Sequence, residues 1–227
     1  MHHRGVDKRS LVALAIFPSL ALGLLNDLYL EPLYQRGAIW FWAADFTQFV
    51  VVPALMAFLL LKAGSIAPRD YGFRPFPRGT HTADKVGSCL IMSAIFWVSY
   101  EPVERIMQWL LSSHPVTFGY GSVLPQLSLL RIPIVLYFSL TAAFVEEAVF
   151  RGLPWLYFSQ FNLGRCRVAV YVVSTSSLFS AIHSEQGLSG MLAAFSLGVV
   201  AAMMYAKIQN LWPFVAAHFV TDLISFW

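Results

Sequence analysis

The sequence predicts an all-α fold: a polytopic membrane bundle of about seven transmembrane helices. Three observations carry the fold class. The 227 residues are 58% hydrophobic and only 12% charged, where an average soluble domain holds about 25% charged residues. Apolar runs of membrane-spanning length, about 20 residues each, recur through the whole chain. The basic residues gather in alternate connections between those runs. Residues 1–227 therefore read as a single integral membrane domain with no soluble domain attached.

The spans are predicted at about 10–30, 38–62, 86–110, 132–160, 168–184, 189–206 and 211–227. Arg4, Lys8 and Arg9 precede the first. That run resembles a secretory signal, but it is long, lacks a small-residue cleavage site and ends at Asn26, Asp27 and Pro32, so it reads as a retained span. A short connection with Arg36, offset by Glu31, leads to the second span. A Pro/Gly-rich loop with Lys62, Arg69, Arg74, Arg78 and Lys85 leads to the third. The connection Ser112–Val123 has no Lys or Arg, Arg165 and Arg167 follow the fourth span, nothing basic lies between His183 and Ser189, and Lys207 precedes the last span.

One set of connections thus holds eleven basic residues and the opposite set only Arg36. The positive-inside rule places the chain in the cell inner or plasma membrane with its N-terminus cytoplasmic and, for seven spans, its C-terminus extracytoplasmic. A net charge of +3, scattered along the chain, gives no footprint for nucleic acid. Cys89 and Cys166 lack metal-type spacing and read as free thiols. No internal repeat points to a transporter built from duplicated halves.

Charge inside a span needs an explanation, since an Asp, Arg or Lys at mid-helix costs roughly 2.5–3.5 kcal/mol even on the gentlest scale. Phe144-Val145-Glu146-Glu147-Ala148-Val149-Phe150-Arg151 puts two carboxylates and an arginine in one apolar helix. Glu147 and Arg151 stand at i, i+4 with the acid first, the better orientation for a same-face pair. Glu146, about 100° around the helix, is left without a local partner. Two further motifs follow: Phe179-Ser180-Ala181-Ile182-His183, ending the fifth span, and His218-Phe219-Val220-Thr221-Asp222 in the last. His218 and Asp222 share a helix face, where a carboxylate can hold an imidazole in one tautomer. Glutamate and histidine can jointly take a proton from water, and a second histidine can stabilise an oxyanion. Glu146, His183 and His218 are equally an ordinary zinc ligand set with a position open for water.

Each motif also has a plainer reading. The Glu146, Glu147 and Arg151 cluster can serve as a structural ion-pair network, His183 as an interfacial polar group, and His218 with Asp222 as a packing hydrogen bond. Asp27, Asp45, Glu101, Glu104 and Arg105 read as packing or interface residues, with Glu101, before Pro102, a possible cleft residue.

In the order Glu-Glu-x-x-x-Arg, Phe-x-x-x-His and His-x-x-x-Asp, over roughly residues 130–227, the chain resembles the CPBP family of CAAX proteases and bacteriocin-processing enzymes, also called Abi proteins. The resemblance implies a glutamic-type intramembrane protease acting without an acyl-enzyme or cofactor. It makes Glu146 and His183 the water-activating groups, His218 and Asp222 the oxyanion site, and Glu147, Arg151 and Phe179 their support. A metalloprotease using zinc is the older alternative for the family. Many relatives carry Asn where this chain has Asp222; an ionised aspartate cannot donate to an oxyanion, so Asp222 acts either protonated or by orienting His218. The implied partners are the lipid bilayer and a membrane-anchored protein or peptide: a C-terminal sorting tag, or a CAAX- or pheromone-like tail. A non-catalytic role, as a bacteriocin self-immunity or sensor-partner protein, is the alternative.

The three motifs can meet only if the fourth span continues past Pro154 to about Gln160, with a kink expected at the proline. That places Glu146 near mid-membrane, His183 and Asp222 toward the outer side, and the opening extracytoplasmic.

Overall fold

The structure is a computed structural model that describes residues 7–64, 66–111 and 120–226. Arg4, most of the Ser112–Val123 connection and Trp227 lie outside the described residues. All seven apolar segments form helices, and among the described residues there is no strand. Helix α1 is Lys8–Leu24 and α2 is Asn26–Arg36; α3 is Ala38–Gly64, α4 Thr82–Leu110 and α5 Leu129–Phe158; α6 is Arg167–Ala181, α7 Gly187–Ile208 and α8 Trp212–Phe226.

The expectation of seven full spans is not matched by helix length. Among the described residues, four helices are long and apolar enough to cross a membrane, or five if α1 and α2, bent by 61° at Leu25, make one broken span. The first predicted span therefore breaks at Leu25 instead of running straight to residue 30. Helices α6 and α8 have 15 residues each, about 22 Å of helix, short of the roughly 30 Å hydrocarbon core. Both pack inside the bundle, α6 against α7 and α8 against α4 and α5. Close packing of α6 on α7 uses small residues: a Cβ at Gly198 would stand 3.1 Å from Ser176 Cα, and Ala194, Ala201 and Ala202 are fully buried on the same helix.

Two long helices carry a π turn, and both lie just before a proline. In α3 the turn Thr47–Val51 precedes Pro53, and in α5 the turn Ala148–Gly152 precedes Pro154. Proline has no N–H to donate, and its ring clashes with the carbonyl four residues back. Widening the preceding turn relieves that clash: Leu153 N–H reaches the Ala148 carbonyl, five residues away. Helix α5 thus continues past Pro154 to Phe158, and a π turn stands just before the proline.

The basic connections share one end of the bundle. The Arg9 guanidinium lies 5.1 Å from the Phe161 ring centroid, Leu211 N–H donates to Gly72 O over 2.8 Å, and the Tyr205 hydroxyl donates to Tyr71 O over 3.1 Å. Gly152 is needed there, because a Cβ would fall 2.0 Å from Tyr71 O. At the other end the Tyr34 hydroxyl donates to Ser122 O over 2.9 Å, and Arg131 Nη2 donates to Phe226 O over 2.6 Å. Between the two ends runs a core that includes Phe96, Phe150, Phe179 and Phe214.

Candidate active site

Glu146 and Glu147, adjacent on regular α-helix just before the π turn, point about 100° apart. Glu147 is fully buried. Its Oε2 stands 3.3 Å from Arg151 Nε, and its Oε1 accepts a hydrogen bond from His218 Nδ1 over 2.8 Å. The i, i+4 pair expected from the sequence is therefore present, with His218 as a second partner. The Arg151 guanidinium packs 4.3 Å from the Phe179 ring centroid, a cation–π contact well suited to a desolvated charge. Its backbone carbonyl accepts from the Tyr171 hydroxyl over 3.2 Å.

Glu146 faces a cavity of about 120 Å³. No hydrogen bond reaches its Oε2, which stands 3.7 Å from His218 Nε2. Asp222 Oδ2 approaches the same nitrogen at 3.6 Å. Both distances exceed a hydrogen bond, so the bond that orients the His218 ring is the one from Nδ1 to Glu147. Carboxylates thus flank both nitrogens of this imidazole.

His183 caps the end of α6 and lines the same cavity. Its Nδ1 lies 2.7 Å from Phe179 O. A carbonyl can only accept, so Nδ1 carries the proton, and in the neutral ring Nε2 holds the lone pair. Phe179 organises the site through three contacts. Its carbonyl fixes the His183 tautomer, its ring covers Arg151, and ring centroids place it 4.7 Å from His183 and 6.4 Å from His218.

Glu146, His183, His218 and Asp222 all border this one cavity, with Glu147, Arg151 and Phe179 packed behind them. Among the described residues no group of three His, Cys, Asp or Glu side chains is arranged to hold a metal ion. Both cysteines are free.

Sequence reasoning missed two acids in the same cavity. Asp45, read as a packing residue, lines it from α3, and Glu185 lines it from the turn Ser184–Gln186 before α7. The signal for Asp45 was its position inside an apolar span; Glu185 had only its closeness to His183. Glu101 pairs with Arg105 at 2.6 Å and lines an adjoining cleft, not the Glu146 cavity. Asn26, Tyr120, Gln186 and Phe226 also border the Glu146 cavity, and all stand at the end of the bundle away from the basic connections.

Residues 128–224 match the family model described as type II CAAX prenyl endopeptidase Rce1-like. The matched segment runs from the start of α5 almost to the end of α8 and contains every residue of the constellation. No curated protein and no solved structure matches the chain. The apolar helices together with this match make the chain a multi-pass membrane protein.

Proposed function

We propose, for a chain whose residues 128–224 belong to the Rce1-like family of proteases, that it is an intramembrane endopeptidase of the glutamic type acting on a membrane-anchored protein or peptide. The observation that carries this reading is the contrast between neighbouring carboxylates. Glu147 accepts a hydrogen bond from His218 and pairs with Arg151, while Glu146 borders the cavity it shares with His183 and its Oε2 stands 3.7 Å from His218 Nε2, beyond a hydrogen bond.

In the proposed reaction a water held between Glu146 and the Nε2 lone pair of His183 attacks the scissile carbonyl carbon. Its proton passes to Glu146. The carbonyl oxygen, now an oxyanion, accepts hydrogen bonds from a protonated Asp222 and from the Nε2–H of a His218 imidazolium, whose Nδ1–H stays on Glu147. Collapse breaks the C–N bond as the proton held by Glu146 is delivered to the leaving nitrogen. Glu147 keeps His218 in register, and no metal takes part in any step.

The cavity borders the end of the bundle opposite the basic connections, so the positive-inside rule supports an extracytoplasmic opening. Such an opening suits removal of a C-terminal membrane-anchoring sorting tag, whereas a prenylated CAAX tail requires access from the cytoplasm. The test is cleavage in cells of co-expressed membrane-anchored candidates by wild type and by Glu146→Gln. Cleavage by wild type, lost in the variant at equal protein level and unaffected by chelators, is the expected result. Equal cleavage by both removes Glu146 as the base.

A further inference from the structure

The cavity has a second polar wall that the proposed reaction does not use. Asp45 is 1% exposed; the Tyr137 hydroxyl is its side-chain neighbour, but neither carboxylate oxygen receives a hydrogen bond of full geometry. Glu185 is 2% exposed and is held in place by its own backbone N–H and by the Gln186 side chain. With Glu146 and Asp222, four carboxylates border one enclosed space, and no Lys or Arg is among the described residues that line it. The neighbouring cations are engaged elsewhere, Arg151 with Glu147 and Arg131 with the Phe226 carbonyl. Aromatic rings line the same space: Tyr120, Phe138 and Phe226 lie mutually 5.5–6.3 Å apart between ring centroids.

A buried carboxylate without a full hydrogen bond is costly while ionised, so it either holds a proton or is stabilised when a compensating charge arrives. We infer that Asp45, with Glu185, forms a subsite for one basic side chain, an ammonium or guanidinium carried by the substrate segment close to the scissile bond. The aliphatic stem of such a side chain suits the aromatic lining, and its cationic head suits both the ring faces and the acids. A guanidinium would gain the charge-assisted bonds that Asp45 lacks. The inference rests on the reading that this cavity receives a polypeptide segment.

The test is a binding measurement that does not depend on cleavage. The full chain in lipid nanodiscs is titrated with a fluorescent hydrophobic peptide carrying one arginine, and with the same peptide carrying citrulline, its uncharged near-isostere. The expected result is at least tenfold tighter binding of the arginine peptide to wild type. That preference should shrink to within twofold in Asp45→Asn and return in Asp45→Glu, which also shows that the site still folds. Equal binding of the two peptides by wild type, or a preference untouched in Asp45→Asn, overturns the subsite, as does a failure of either peptide to bind. Failure of the glutamic-type reading shows instead as equal cleavage by wild type and Glu146→Gln, and failure of the protease reading as no cleavage by wild type, neither of which this titration requires or reports.

Discussion

Glu147 Oε1 accepts a hydrogen bond from His218 Nδ1 across 2.8 Å and so ties helix α5 to helix α8, while its other oxygen faces Arg151 at 3.3 Å. One buried carboxylate serves two helices and two cations or donors. Removing one partner of a buried pair strands the other, at a cost of about 3–5 kcal/mol. Glu147→Gln should therefore lower the thermal unfolding midpoint in detergent markedly and abolish cleavage as well. Glu146→Gln should abolish cleavage with an unchanged midpoint. Equal destabilisation by the two substitutions would mean that Glu146 is also structural.

His183 is positioned by its Nδ1–H on Phe179 O at 2.7 Å. Asparagine can keep a donor near that carbonyl but has no basic nitrogen. His183→Asn should retain the folded protein and reduce cleavage by about 10²–10⁴, the usual contribution of a general base. Cleavage within a few-fold of wild type would remove His183 from the proton transfer.

Asp222 stands 3.6 Å from His218 Nε2, and the ring is already oriented from its other nitrogen. In the proposed reaction the remaining task for Asp222 is to donate to the oxyanion, which an amide also does. Asp222→Asn should cleave within about tenfold of wild type, whereas Asp222→Leu should lose about 10²–10³. Equal loss in both variants would show that the carboxylate itself is required. The readout is the cleavage rate of one substrate at matched enzyme levels.

Gly152 lies under the Tyr71 carbonyl, and a Cβ would come within 2.0 Å of that oxygen. A backbone atom cannot swing aside as a side chain can. Gly152→Ala should destabilise the protein by about 1–3 kcal/mol through overpacking. A melting temperature equal to wild type would mean that the loop around Tyr71 is free to move away.

Cys166 is exposed in the basic connection between α5 and α6. With that connection cytoplasmic, a membrane-impermeant maleimide should leave Cys166 unlabelled in intact cells of a Cys89→Ser background. Permeabilisation should expose it. Labelling of intact cells would invert the topology and turn the cavity toward the cytoplasm.

Much of this protein was legible along the chain. Composition and apolar run length determine a helical membrane bundle, because only internally hydrogen-bonded backbone is tolerated in lipid. Glu146, His183, His218 and Asp222 stood out because polar groups in apolar helices require a reason, and the pairing of Glu147 with Arg151 followed from helical spacing alone. Tertiary structure decided the rest. The break at Leu25 and the shortness of α6 and α8 depend on burial against neighbouring helices, which hydropathy does not register. The π turns arise where a proline must be absorbed without ending a span. The Glu147–His218 bond crosses 71 positions of sequence, and Asp45 and Glu185 meet the reacting groups only where α3 and the turn before α7 close on α5. Local periodicity reports which face a residue occupies on its own helix; which groups then share a cavity is set by the packing of the helices.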